Sequence, residues 1–377
     1  MSKINIRSFS NENEDGAPDL VGITTFSATS YFVPTRGTTA QRPSDHVEVG
    51  SLRYNYDIKN LEFYRGDTIG WSSFDLIDPD LGGGTGSNTG LGTRGLFAGG
   101  LAPDLKTDID YITISTLGST QDFGDISAGK QAMSAVGSRT RALNIGGYTS
   151  NFENEIEFVT FASLGNITDF GNLLSSKNRT ASCSDQVRGI TGGGNPNTNV
   201  IEYLTIAQTG NGVDFGDLTV ARQSSGSFSS STRGIFAGGY IEPTYSDTID
   251  YITISSTGDA TDFGNLTSIR MYMGSSSNST RGVMGGGQDA SRSNIIEYIT
   301  IASTGNGTDF GDLTSTRSDI AGASSPTRAV FVGGDTPTLV NTIDYVEILT
   351  TGNAVDFGDQ TVKRDRISGC SNGHGGL

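Results

Sequence analysis

The sequence predicts an all-β chain: a small N-terminal β module followed by a six-bladed β-propeller closed by the C-terminal strand. Two observations about repetition and one about composition carry this. An Arg recurs at Arg94, Arg141, Arg188, Arg233, Arg281 and Arg328, in steps of 47, 47, 45, 48 and 47. A period in the forties with several short strands per unit marks a propeller or an array. A Phe recurs in step at Phe123, Phe170, Phe215, Phe263, Phe310 and Phe357. It stands 12 residues after an aromatic (Tyr111, Phe158, Tyr203, Tyr251, Tyr298, Tyr345) and 18 before the next Arg. Only 34% of the 377 residues are hydrophobic, while Gly numbers 53. Such a chain cannot fill one deep core, but it can fill many thin sheet-on-sheet interfaces.

In chain order, residues 1–20 are polar and acidic (Asn11-Glu12-Asn13-Glu14-Asp15) and read as an arm. Residues 21–81 read as a separate β module. Its β-prone runs are Val21–Phe26 and Ser30–Val33, then Ser51–Tyr56 and Leu61–Tyr64 around the turn Asp57-Ile58-Lys59-Asn60, a hairpin. Trp71, the only tryptophan, is expected to pack on that hairpin. Residues 82–92, rich in Gly, Ser, Asn and Thr, read as a flexible linker spanning roughly 17–20 Å root-mean-square.

From residue 93 each unit supplies four strands. In the fifth unit these are Arg281–Gly286, Ile296–Ile301 with period-2 alternation, Thr308–Leu313 and Ser318–Ser324. All length variation falls between Gly-Gly and Ile-Asp/Glu, in connections of 8, 8, 6, 9, 8 and 8 residues. The first unit opens at Arg94–Gly100 without an innermost strand, and Arg364–Asn372 matches an innermost strand with nothing after it. The last strand is therefore expected to enter the first blade, removing exposed edges.

Two resemblances add to this. Thr29-Ser30-Tyr31-Phe32-Val33-Pro34, Gly37-Thr38-Thr39-Ala40-Gln41-Arg42-Pro43 and Gly50-Ser51-Leu52-Arg53-Tyr54-Asn55, with Leu61-Glu62-Phe63-Tyr64, Gly66 and Trp71, resemble a module of structural proteins of tailed bacteriophages, marine and cyanobacterial ones especially. The repeat resembles the kelch unit: a strand ending in Gly-Gly, a strand with an aromatic, a short outer strand, then a basic residue. That basic residue stands seven after each Phe, at Lys130, Lys177, Arg222, Arg270, Arg317 and Arg364. The outer-strand Trp of kelch units is replaced here by Phe.

Charge and motif content narrow the chemistry. A formal charge of −16 argues against nucleic acid and anionic lipid as electrostatic partners. No apolar run reaches the roughly 18 residues of a membrane helix, so no membrane insertion is expected, and the N-terminus lacks the apolar core of a secretory signal. Cys183 and Cys370 occupy the same place in different units and read as buried free thiols. The sixfold Asp-Phe-Gly reads as structural: Phe packs between blades, Gly allows the turn, and Asp bonds backbone or the recurring Arg. That Arg, and the carboxylates Asp110, Glu157, Glu202, Asp250, Glu297 and Asp344, could each line a central channel as a charged ring; repeated intra-blade bonding is favoured. With only His46 and His374, neither a histidine metal site nor a Ser-His-Asp triad is expected. No unit carries acidic residues that break the repeat, so no enzyme is expected, and no catalytic residue, metal or cofactor is assigned.

The variable connections are the expected binding surface. They are residues 101–108, 148–155, 195–200, 240–248, 288–295 and 335–342; the candidates on them are Tyr148, Phe152, Tyr240, Tyr245 and Asp335. The resemblance implies a phage virion protein, anchored to other virion proteins through residues 1–81. Its propeller would be displayed for host-surface glycan or protein binding as a tail fibre, and a homo-oligomer on the particle is compatible with this. The alternative is a capsid decoration or head fibre, and the third reading a glycan-cleaving tail enzyme.

Overall fold

The computed structural model describes residues 34–43, 47–58, 60–67, 70–73 and 93–377. The chain divides into two compact units, Met1–Ile77 and Asp78–Leu377. The expected arm, the runs Val21–Phe26 and Ser30–Val33, the linker and His46 lie outside the described residues. No helix among the described residues is long and apolar enough to cross a membrane.

In the smaller unit, Thr35–Gly37, Leu52–Asn55, Asn60–Tyr64 and Trp71–Ser73 form one sheet in sequence order. The first pair is parallel and the others antiparallel. Leu52–Asn55 and Asn60–Tyr64 are the expected hairpin. Trp71 pairs with Tyr64 in register and its ring lies 5.4 Å from the Tyr64 ring. Under this sheet Glu62 is fully buried and ion-paired to Arg42 and Arg53, and it accepts a 2.9 Å hydrogen bond from Asn55 Nδ2. Trp71 Nε1 donates to Pro43 O at 3.2 Å.

The larger unit is built of six four-stranded antiparallel sheets. Their first strands are Ser134–Gly137, Ala181–Ser184, Gly226–Ser229, Gly274–Ser277, Ala321–Ser324 and Ser368–Ser371. Each begins about three residues later than the sequence suggests, because the residue two positions after the basic residue turns into the left-handed region, as Asp319 does at φ 54°. The last first strand, Ser368–Ser371, pairs antiparallel with Arg94–Ala98, so chain end and repeat start share a sheet.

Adjacent sheets are held apart by side-chain layers. Leu96, Ile109 and Phe123 pack with Ala142, Val159 and Phe161 of the next sheet. Phe97, Ile112 and Ile114 pack likewise with Val330, Ile343 and Phe357, joining the first sheet to the last. Burying each such Leu, Ile, Val or Phe side chain contributes about 1.5–3 kcal/mol. Each repeat Phe also meets its strand aromatic edge-on, as Tyr298 and Phe310 do at 6.0 Å.

The recurring Arg does two things that intra-blade bonding alone does not describe. It lies over its own sheet's aromatic, Arg281 at 4.1 Å from the Tyr298 ring centre. It also donates to a backbone carbonyl of the next sheet: Arg94 to Phe161 O at 2.6 Å, Arg188 to Ile254 O at 2.9 Å, Arg281 to Ile348 O at 3.0 Å. Arg328 repeats this bond from the last sheet to the first, to Ser115 O at 3.1 Å.

The six carboxylates of the third strands take the other basic residue instead. Lys177 meets Glu202 at 2.6 Å, Arg222 meets Asp250 at 2.9 Å, Arg317 meets Asp344 at 2.8 Å and Arg364 meets Asp110 at 2.7 Å, all buried. Lys130–Glu157 at 2.8 Å and Arg270–Glu297 complete the set. Each pair pins the crossover between two sheets onto the later one. Glu297 is accordingly buried beside buried Ile296, which interrupts the expected alternation. The Asp of Asp-Phe-Gly departs from expectation: Asp122, Asp169, Asp214, Asp262, Asp309 and Asp356 are exposed and their side chains make no hydrogen bond or ion pair among the described residues. The recurring Arg is taken up by its own sheet's aromatic and by a carbonyl of the next sheet.

A candidate binding mouth lined by six crossover side chains

Two residues after each buried basic residue stand Ala132, Arg179, Ser224, Tyr272, Asp319 and Arg366, with φ between 53° and 60°. A non-glycine residue in this region is uncommon and carries strain of roughly 1–3 kcal/mol. The backbone explains the turn. Arg179 N donates to Ala132 O (2.8 Å), Ser224 N to Arg179 O (2.9 Å), Tyr272 N to Ser224 O (3.1 Å), Arg366 N to Asp319 O (3.3 Å) and Ala132 N to Arg366 O (2.9 Å). At one junction the donor moves one residue on, Ile320 N to Tyr272 O at 3.5 Å. Glycine would adopt this turn without strain, yet none of the six is glycine.

The six side chains, with residues from all six first strands, line a cavity of about 150 Å³. Beside it, a second recess is lined by Gln131, Tyr148, Phe152, Asn178, Arg179, Gln223 and Arg366, among others. The other end of the first strands is uniform by comparison. Ser229 donates to Ser184 O (2.6 Å), Ser277 to Ser229 O (2.8 Å), Ser324 to Ser277 O (2.8 Å) and Ser371 to Ser324 O (2.5 Å). Gly137 stands where a sixth serine would, and His374 Nε2 donates to its carbonyl at 2.8 Å. His374 Nδ1 accepts from Gly376 N at 3.1 Å, and burial holds this imidazole below its ordinary pKa.

Chemically the mouth is polar and partly unsatisfied. Asn178 Oδ1, Gln223 Oε1, Ser224 Oγ and Ser275 Oγ are buried without a hydrogen-bond partner. Such atoms cost about 1–3 kcal/mol each if nothing meets them. Arg366 Nη1 donates to Gln131 Oε1 at 3.0 Å and its Nε lies 3.7 Å from both Asp319 and Asp365. Burial pushes the Asp319 carboxyl up to about 7, Arg366 opposing and Asp365 adding to it. Asp365 is raised by burial as well. At Asp335 burial acts in the same sense, but hydrogen bonds from Arg292 and Ser318 hold the carboxyl below its ordinary value.

Of the residues expected from sequence, Tyr148 and Phe152 line the outer recess, their rings 5.8 Å apart and edge-on. Tyr240 and Tyr245 form a similar pair at 5.7 Å. They face each other across an extension of Arg233–Ile241 and Thr244–Thr253, so the longest connection is a hairpin rather than a loop. Asp335 lies with Asp319 and Asp365, carboxylate oxygens within 4.8 Å of one another. This corrects the expectation that no acidic residue breaks the repeat. Asp319 and Asp365 are the only acids in their columns of the crossover, and Asp335 stands where other units have Leu101, Tyr148, Asn195, Tyr240 and Gln288. The inner six belong to no recurring motif; their signal in the sequence is a chemically varied column two residues after an all-basic one. Cys183 and Cys370 are free and buried, each thiol pushed up to about 12 by burial. Against known proteins, no family model and no curated protein matches the chain.

Proposed function

We propose that the six sheets form a closed six-bladed, kelch-like propeller and that the chain is a non-enzymatic virion protein of a tailed phage, binding a host-surface glycan at the mouth described above. Closure is supported by the pairing of Ser368–Ser371 with Arg94–Ala98 and by the Arg328 bond to Ser115. Gly118 N to Phe357 O at 3.0 Å adds to it, repeating the Gly305 N to Phe263 O bond of an interior junction. Virion docking through residues 1–81 is supported by the phage-like motif, whose Arg42, Arg53, Asn55 and Glu62 converge in one buried network.

One observation carries the binding assignment. Where the repeats otherwise agree, the six mouth positions present five different side chains beside buried acceptors that lack donors. Sugar hydroxyls supply such donors, and the Tyr148 and Phe152 rings offer apolar faces to a pyranose. The test is a glycan array probed with the wild-type chain and with Asn178→Ala/Gln223→Ala. Loss of glycan signal in the folded double variant is expected; unchanged binding would remove the mouth from consideration. Deleting residues 1–81 is expected to abolish incorporation into particles, and electron microscopy of the virion separates tail-fibre density from a capsid decoration.

A second reading, glycan cleavage, is favoured by the cluster of Asp319, Asp335 and Asp365. Release of new reducing ends by the wild type, abolished in Asp319→Asn, would select it.

A further inference from the structure

Arg179 differs from every other arginine at the mouth. Arg366 is held by Gln131 and by two carboxylates, and Arg292 is ion-paired to Asp335. The Arg179 side chain makes no hydrogen bond or ion pair among the described residues. Its guanidinium lies 4.8 Å from the Tyr272 ring centre, at the rim shared by both recesses. A stacked guanidinium is fixed in plane while its N–H edge stays available, the arrangement that receives a planar carboxylate through two parallel bonds. Burial holds the Arg179 guanidinium below its ordinary pKa; Asp319 and Asp365 oppose this through space, but neither forms an ion pair with it, so its hydrogen-bonding edge is left to a ligand.

We propose that the mouth recognises an acidic sugar, the carboxylate of a uronate or nonulosonate unit seated on Arg179 and its hydroxyls on the neighbouring unsatisfied acceptors. This rests on the glycan-binding reading above and names the class of glycan. Three features select a carboxylate over a phosphate. The protein carries a formal charge of −16, and Asp319, Asp335 and Asp365 lie at the same mouth, so a dianion would meet repulsion that a single spread charge meets less. One free guanidinium matches one carboxylate. The mouth also carries buried polar atoms without a protein partner, Asn178 Oδ1, Gln223 Oε1 and Ser224 Oγ, and a sugar ring brings several hydroxyls to such a polar surface where a simple anion brings none. The inner cavity of about 150 Å³ is on the order of five waters' share of liquid volume, the scale of one ring rather than of a chain.

The test is calorimetric titration of the full chain with matched pairs: methyl glucuronide against methyl glucoside, and methyl galacturonide against methyl galactoside, with N-acetylneuraminate as a third acid. At least one acidic sugar is expected to bind about tenfold or more tightly than a neutral partner, the scale of one charge-assisted pair. Arg179→Gln should erase that preference. Tyr272→Leu, which removes the stacking surface and keeps the charge, should reduce the preference in part; thermal melts show that both variants remain folded. Equal binding of acids and neutrals, or a preference that survives in Arg179→Gln, overturns the acidic-sugar assignment and leaves glycan binding standing. Binding of none of the five sugars, with no glycan captured on the array, overturns both.

Discussion

A left-handed backbone at Tyr272, φ 60°, is tolerated because the turn closes a hydrogen bond to Ser224 O that an ordinary conformation would miss. The side chain then points at the cavity for a reason unrelated to its chemistry, and the position is free to differ from repeat to repeat. Asp319 shows the consequence. Its carboxyl is raised to about 7 chiefly by burial, so the folded state holds a proton that the unfolded chain releases near the ordinary aspartate range. Between those two values the native state binds more protons, and stability falls as pH rises through that window. Above about 7 the loss is complete. Asp319→Asn is therefore expected to raise the melting temperature near pH 8 and to change it little near pH 4. A variant less stable than wild type near pH 8 would show that ionised Asp319 is favourably held there.

At the scale of the element, what holds one sheet against the next is backbone approach as much as side-chain packing. Gly264 of Asp-Phe-Gly has φ +148°, and a Cβ there would sit 2.5 Å from the Gly305 carbonyl oxygen. Neighbouring backbone cannot yield as a flexible side chain would. Gly264→Ala is expected to cost about 1–3 kcal/mol, the range for forced overpacking, read as a lowered midpoint in urea. Gly210→Ala is the control: nothing lies within 4 Å of its Cβ position, and a change below about 0.5 kcal/mol is expected. Equal effects at the two sites would refute the close-approach account. The buried pairs belong to this scale too, since Arg317 with Asp344 ties a crossover to the following sheet, and removing one partner of such a pair typically costs about 3–5 kcal/mol.

For the whole molecule, the proposed ring makes the chain's last strand part of its first sheet. Ile367 and Cys370 each belong to a hydrophobic layer shared with the first sheet. Removing residues 367–377 would strip the partner from Arg94–Ala98 and leave an unpaired edge. The truncated protein is expected to lose cooperative unfolding and to associate, seen as early elution in size-exclusion chromatography and a broadened melt. A monomer melting as wild type does would contradict the ring. His374 lies in the same segment, hydrogen-bonded to Gly137.

Repetition made most of the architecture legible in the sequence. Arg281, Tyr298 and Phe310 recur at invariant spacing because each occupies the same place between two sheets, and spacing alone places four strands per unit and the last strand beside the first. The same regularity hid the site. Partners that meet across sheets, such as Lys177 with Glu202 and Arg94 with Phe161, are far apart in sequence, and only the packing of one sheet on the next pairs them. The Asp of Asp-Phe-Gly was expected to bond backbone or the recurring Arg, but that Arg lies over its sheet's aromatic and donates to a carbonyl of the next sheet. Sequence by itself determined the all-β class, the repeat and the shared first sheet, because these follow from local pattern and period. Only the tertiary structure brought Arg179, Tyr272, Asp319 and Arg366 to one mouth, because residues about 45 apart in the chain become neighbours only when successive crossovers are hydrogen-bonded side by side.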